Sequence, residues 1–195
     1  MVSSRRIGAE TSETRALLVE AAEQLMRAEG YAAVTSRRLA AFAGLKPQLV
    51  HYYFRTMDEL FEAVFKRAAE QYLGYLLAVK DKPDALSRIW RIGCTRDVAV
   101  LTVEFLALGN RHEAVRQLIR HYSEEYKKIQ MQIIERTMRD RKLDTERWPP
   151  AVLAVVLETL PNILGISGDL SGMSEHRAAQ EFIGKLIGGF EAALT

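Results

Sequence analysis

The stretch from Thr35 to Phe54 constrains this chain more than any other part of it, because it writes two short helices on either side of a glycine turn. Thr35 is a residue type that caps helix N-termini, its hydroxyl accepting from a backbone N–H that the helix leaves unpaired. Leu39, Ala40 and Ala43 supply the apolar positions of a helix too short to fold alone. Gly44 stands where a left-handed residue ends that helix without a Cβ penalty. Pro47 opens the next helix in its first turn, where a missing N–H is harmless, and Leu49, Val50 and Tyr53 continue at helical spacing. Two helices joined by a short turn that contains glycine form a helix-turn-helix.

From Gly30 to Thr56 the chain carries Arg37, Arg38, Lys46 and Arg55 and neither Asp nor Glu. Over the whole sequence 27 Lys and Arg stand against 25 Asp and Glu, a net charge of only +2. The local field of the motif is therefore positive against a nearly neutral background. Thr35, Gln48, His51 and Tyr52 stand among those charges, with side chains that reach phosphates or base edges. A plain helical hairpin with surface arginines is the alternative, and the acid-free interval weighs against it.

Periodicity predicts an all-α chain with no strand. Leu17, Leu18, Ala21, Ala22, Leu25 and Met26 stripe a first helix from about Glu13 to Glu29, ended by Gly30 and able to cover the back of the hairpin. Thr56 to Glu59 forms a capping box ahead of a fourth helix that reaches about Val79, with Leu60, Phe61, Val64, Phe65 and Ala68 inward. After the polar break from Lys80 to Asp84, helices are expected at about Asp84 to Gly93, Asp97 to Gly109, Glu113 to Arg139, Pro149 to Ile166 and Ser174 to Leu194. Pro161 either kinks the eighth helix or ends it. The domain boundary is placed after Thr56, giving a helix-turn-helix domain over residues 1–56 and a larger helical domain over 57–195.

The single cysteine, Cys94, excludes an internal disulfide framework and suits a reducing cytoplasm. No apolar run reaches the ~18 residues of a membrane span, and the polar start from Met1 to Thr14 lacks the apolar core of a secretory signal. The expectation is a cytoplasmic protein that does not engage a membrane. Glycine-rich phosphate loops, His-Glu-x-x-His pairs and nucleophile elbows are missing from the sequence. Four scattered histidines and one cysteine give no metal-ligand spacing. No catalytic residue, cofactor or metal is therefore expected.

These residues resemble the TetR-type transcriptional regulators. The resemblance is carried by Gly30 to Leu60: a first helix ending in glycine, the Thr35-Ser36 cap, Leu39-Ala40 before Gly44, and above all Tyr53-Phe54 followed by Asp58-Glu59-Leu60. It covers roughly the first third of the chain and the overall plan of nine helices. It implies a homodimer whose third helices enter successive major grooves of a palindromic operator, while the larger helical domain binds a small ligand and dimerises. Lys46 stands where the family often has serine or threonine, and Met57 where it often has lysine, which moves one phosphate contact from the fourth helix to the third.

Reach and chemistry assign the roles. Thr35, with Ser36 beside it, suits a phosphate oxygen, a cap, or both. Arg37 and Arg38 are consecutive and cannot share a face, so at least one is expected on the duplex backbone. Lys46, Pro47 and Gln48 open the recognition helix, where Lys reaches guanine and Gln pairs with adenine. His51 and Tyr52 are expected on phosphates or a thymine methyl, and Tyr53 and Phe54 in the core. Arg5 and Arg6 lie on an arm that either enters the minor groove or stays a solvated tail.

In the helical domain, Trp90, Cys94, Phe105, Tyr122, Tyr126, Met131 and Asn162 are the candidates for a ligand pocket, each with plain core as the alternative. Such a lining suits an apolar or aromatic effector. Val152, Val156, Leu160, Phe182, Leu186 and Phe190 are the candidates for a dimer interface. Gly184, Gly188 and Gly189 weaken a helix by about 1 kcal/mol each, so a close helix neighbour is expected beside them, consistent with four helices from two subunits. The resulting expectation is a ligand-responsive, dimeric repressor that binds double-stranded DNA. An activator or effector-independent regulator of the same fold, or a helical adaptor that binds protein, are the alternatives.

Overall fold

The computed structural model describes residues 13–171 and 174–192. Among them every regular element is helical. In chain order these are α1 (Glu13–Glu29), a 3-10 turn (Tyr31–Ala33), α2 (Ser36–Phe42), α3 (Pro47–Tyr53), α4 (Met57–Val79), α5 (Ala85–Gly93), α6 (Arg96–Gly109), α7 (Glu113–Arg141), α8 (Pro150–Ser171) and α9 (Ser174–Glu191). The expected all-α architecture, with a helix-turn-helix ahead of a larger helical region, is the one observed.

Local chemistry sets the ends of the short helices. Thr35 Oγ1 accepts from the Arg38 N–H at 3.2 Å and so caps α2. Gly44 follows α2 with φ +67°, the left-handed conformation that favours glycine. At the start of α4, Thr56 Oγ1 accepts from the Glu59 N–H at 3.1 Å. The Glu59 carboxylate accepts in return from Arg55 N–H at 2.8 Å, one residue earlier than a standard capping box.

The described residues form two compact units, one holding those up to Ala69 together with Glu104–Ile119, the other Glu70–Val103 and the residues from Arg120 onward. In the first, Leu18, Ala22, Leu25, Met26, Leu39, Ala40, Val50, Phe54, Leu60 and Val64 are buried, and α2 packs against both α1 and α3. Leu17 is exposed rather than inward. The buried face of α1 turns instead toward Val19 and Glu23, because the Glu23 carboxylate takes Arg67 of α4 at 2.5 Å and Arg27 at 2.6 Å. A buried acid persists only when it is paired in this way. The α6 and α7 segments of the unit are fastened by the Glu104 carboxylate, which accepts from the Tyr31 N–H at 2.7 Å, and by His112 Nδ1, 2.8 Å from Asp58 Oδ1.

In the second unit α5 packs against α8 and α9, and α8 against α9, around Leu76, Ile89, Trp90, Ile133, Ile134, Leu157 and Leu164. Helix α8 runs through Pro161 without ending there. Gly165 sits so close to α5 that a Cβ on it would lie 2.8 Å from the Cys94 carbonyl oxygen. On α9 the close neighbour expected beside the glycines comes from the same chain: a Cβ on Gly184 would lie 3.3 Å from Trp90 Nε1, whereas Gly189 faces open space.

The N-terminus of α5 is closed by a residue from the far end of the sequence. Asp84 makes no side-chain cap, and the buried Glu191 carboxylate accepts instead from the Leu86 N–H at 2.5 Å and the Ser87 N–H at 3.2 Å. The Ser87 hydroxyl donates to the same carboxylate. By length and composition, Pro150–Ser167 of α8 is apolar enough to cross a membrane, which corrects the expectation that no run reaches that length. The expectation counted strictly apolar runs, which Glu158, Thr159 and Asn162 break, whereas the average over the segment stays apolar.

Candidate nucleic-acid interface

Helix α3 rests on Val50, and Phe54 just beyond it is buried as well, while the opposite side faces solvent. Lys46, Pro47, Gln48, His51 and Tyr52 are all exposed. Tyr52 meets Tyr53 edge-on at 5.0 Å. On α2 and its cap, Thr35, Arg37 and Arg38 are exposed and Ser36 is half-buried. The side chains of Arg37, Lys46, Gln48 and His51 make no hydrogen bond or ion pair among the described residues. Cations and amides left in water in this way are available to a polyanion. Arg5 and Arg6 lie outside the described residues.

Arg38 differs from its neighbour. Its Nε donates to one oxygen of Glu29 at 3.2 Å, and its Nη2 pairs with the other. The hydrogen bond from Arg38 holds the Glu29 carboxyl below the usual carboxylate range. Arg55 is exposed at the end of α3, and sequence reasoning gave it no role beyond the field. Its place one residue past the buried Phe54 is the signal that pointed outward.

The ligand candidates do not come together as one set. Phe105 lies in the first unit, where it meets Phe65 edge-on at 4.9 Å. Trp90, Cys94, Tyr122, Tyr126, Met131 and Asn162 belong to the second. Trp90 is buried, and its indole N–H donates to the Gln180 carbonyl at 3.2 Å. Cys94 follows α5, and burial pushes its thiol up to about 11. Met131 packs against the edge of the core.

Tyr122 and Tyr126 join a group that the sequence showed only in part. Tyr126 meets Tyr72 edge-on at 5.0 Å, Tyr122 lies 6.1 Å from Tyr126, and Tyr75 stacks 6.5 Å from Tyr72. Burial pushes the Tyr72 phenol up to about 12 in spite of its hydrogen bond to Gln130, and it raises Tyr126 as well. Desolvation also raises the Glu158 carboxyl, against the opposing charge of Lys127. Asn162 Nδ2 donates to the Glu158 carbonyl at 2.7 Å, while its Oδ1 is buried with no partner among the described residues. The three-residue spacing of Tyr72 and Tyr75, one face of α4, was the available sign of this layer.

The dimer candidates divide. Val152, Phe182 and Leu186 are exposed, Phe182 to 69%. Val156, Leu160 and Phe190 are half-buried, because Leu160 packs on the core of its own unit and Phe190 meets Trp148 edge-on at 5.0 Å. Val155 and Ile163 of the same helix are exposed too. Among the described residues no group of three or more His, Cys, Asp or Glu is placed to hold a metal ion.

Residues 18–64 match the sequence profile of the bacterial regulatory proteins, tetR family. The helix-turn-helix of this chain is a TetR-family domain. That TetR segment carries α2 and α3 whole, and with them the exposed cations and amides described above. The HTH-type transcriptional regulator TtgR of Pseudomonas putida is 27% identical over 120 residues, which are 62% of this chain and 55% of that protein. The chain thus spans about half the length of the curated relatives it matches. Among solved structures, reduced NemR of E. coli superposes with a TM-score of 0.72 at 18% identity, covering 88% of this chain and 96% of that one. FadR of Bacillus subtilis in complex with stearoyl-CoA gives 0.67 at 15%, with the same coverage of 88% and 96%. At such identities the likeness shows a TetR-like fold, an N-terminal helix-turn-helix domain followed by a helical C-terminal domain.

Proposed function

We propose that this protein is a ligand-responsive transcriptional repressor, a cytoplasmic homodimer that reads a palindromic operator through α3. The observation that carries the reading is the set of exposed Lys46, Gln48 and His51, unpartnered among the described residues, on an acid-free TetR-family helix-turn-helix. Lys46 reaches guanine and Gln48 pairs with adenine in the major groove. Thr35, Ser36 and Arg37 hold phosphates, with His51 and Tyr52 on phosphates or a thymine methyl. Two copies related by symmetry set their α3 helices about one turn of DNA apart, ~34–36 Å. The DNA-binding domain spans residues 1–56 and the remainder, 57–195, binds the effector and the second copy.

The exposed apolar side chains of α8 and α9 support association of two copies through those helices. The tyrosine layer of Tyr72, Tyr122 and Tyr126 supports an apolar or aromatic effector. That the structurally similar FadR was solved with stearoyl-CoA, whose acyl chain is apolar, supports an effector with an apolar part. A coupling of ~1–3 kcal/mol between effector and operator is enough to change occupancy 5- to 150-fold.

The test is selection of bound duplexes from a random-sequence pool, followed by affinity measurements on the selected site. An inverted repeat is expected. Lys46→Ala and Gln48→Ala should each weaken binding to it by about 5- to 150-fold, with the fold and association state unchanged. Undiminished binding by both variants would remove α3 from the recognition role.

A further inference from the structure

Among the described residues, only one of the two adjacent arginines on α2 is without an ion-pair partner. Arg37 and Arg38 stand about 100° apart round the helix. Arg37 makes no hydrogen bond or ion pair among the described residues, whereas Arg38 forks onto both carboxylate oxygens of Glu29, the last residue of α1. The pair lies in solvent, with side-chain exposures of 49% for Arg38 and 38% for Glu29. A guanidinium that faces a carboxylate in this way presents little net charge to a third group. Binding to a duplex is driven by cations that neutralise phosphates and release counterions, so a neutralised arginine adds almost nothing to it.

We propose that Glu29 withholds Arg38 from the DNA backbone and thereby limits the phosphate affinity of the helix-turn-helix below what its sequence carries. This rests on the DNA-binding reading above and adds to it an acidic residue that acts against binding. The consequence for a regulator is selectivity. Phosphate contacts strengthen binding to every sequence alike, while base contacts from α3 do not, so a muted backbone contact leaves a larger share of the affinity to the bases.

Full-length protein is titrated with a short duplex of mixed sequence at several salt concentrations. Both side chains are exposed, and exposed ion pairs contribute little to stability, so the variants stay folded, as circular dichroism verifies. Glu29→Gln should bind more tightly and steepen the slope of log affinity against log salt by about 0.9 for each arginine set free. Glu29→Gln combined with Arg38→Ala removes both halves of the pair and should return to the wild-type values, whereas Arg38→Ala alone leaves Glu29 an uncompensated carboxylate and should weaken binding. The proposal is overturned if the double variant binds more weakly than wild type by as much as Arg37→Ala does, since Arg38 would then already hold a phosphate. It is equally overturned if the gain from Glu29→Gln survives the loss of Arg38, which would trace that gain to the acid's own repulsion. Wild-type protein whose affinity ignores salt would bring down the DNA-binding reading itself, and the proposal with it, so the two failures are told apart.

Discussion

Phe182→Glu together with Val155→Glu should turn the protein into a monomer at micromolar concentration and abolish operator binding. Val152, Val155 and Ile163 recur at helical spacing along α8, and Phe182 and Leu186 along α9, all of them exposed in the single chain. Burial of such side chains is worth roughly 1.5–3 kcal/mol each, and an unpaired carboxylate in their place costs several kcal/mol more. Two substitutions per chain, repeated by symmetry, therefore exceed the net free energy of an ordinary dimer, about 8 to 12 kcal/mol for micromolar to nanomolar association. Neither side chain is part of the core of its own unit, so circular dichroism should be unchanged while sedimentation velocity reports half the mass. Persistence of the dimer in the double variant would place the interface elsewhere.

Glu191→Ala should lower stability by about 2–4 kcal/mol. The substitution strips the acceptor from two backbone N–H groups at the start of α5 and from the Ser87 hydroxyl, and an unsatisfied buried donor costs about 1–3 kcal/mol. It also removes a carboxylate from the positive end of a helix dipole. For a chain of this length the melting temperature should fall by about 5–15 °C. Glu191→Gln keeps one acceptor oxygen and should recover about half of that loss. Equal melting of wild type and Glu191→Ala would mean that water replaces the carboxylate without cost. Truncations that remove the end of α9 should behave like Glu191→Ala, because the cap goes with it.

What could be read from the sequence follows the range of the interactions involved. Thr35, Gly44 and Pro47 act within a turn or two of chain, and each stands at the helix end where its chemistry placed it. Periodicity loses its hold where a partner is distant. Leu17 was drawn inward by apolarity alone, and the register of α1 is instead set by Glu23 reaching Arg67, 44 residues away. The cap on α5 lies 105 residues from Leu86, and no local pattern announces it. Phe105 has the size and polarity of a pocket residue, yet chain topology puts it in the other unit from Trp90 and Tyr126. On the candidate interface, the exposed positions of α3 were legible because a short helix has only one face to bury. The Glu29–Arg38 pair was not, since either arginine satisfies the sequence pattern equally well.

The lone thiol of Cys94 has a practical corollary. With its proton held up to about 11 by burial, very little of it is thiolate at neutral pH, and the thiolate is the form that electrophiles attack. Alkylating dyes should therefore react slowly with this half-buried thiol. The chain carries one cysteine, so the labelling rate reports on the end of α5 alone, readable with no engineered probe.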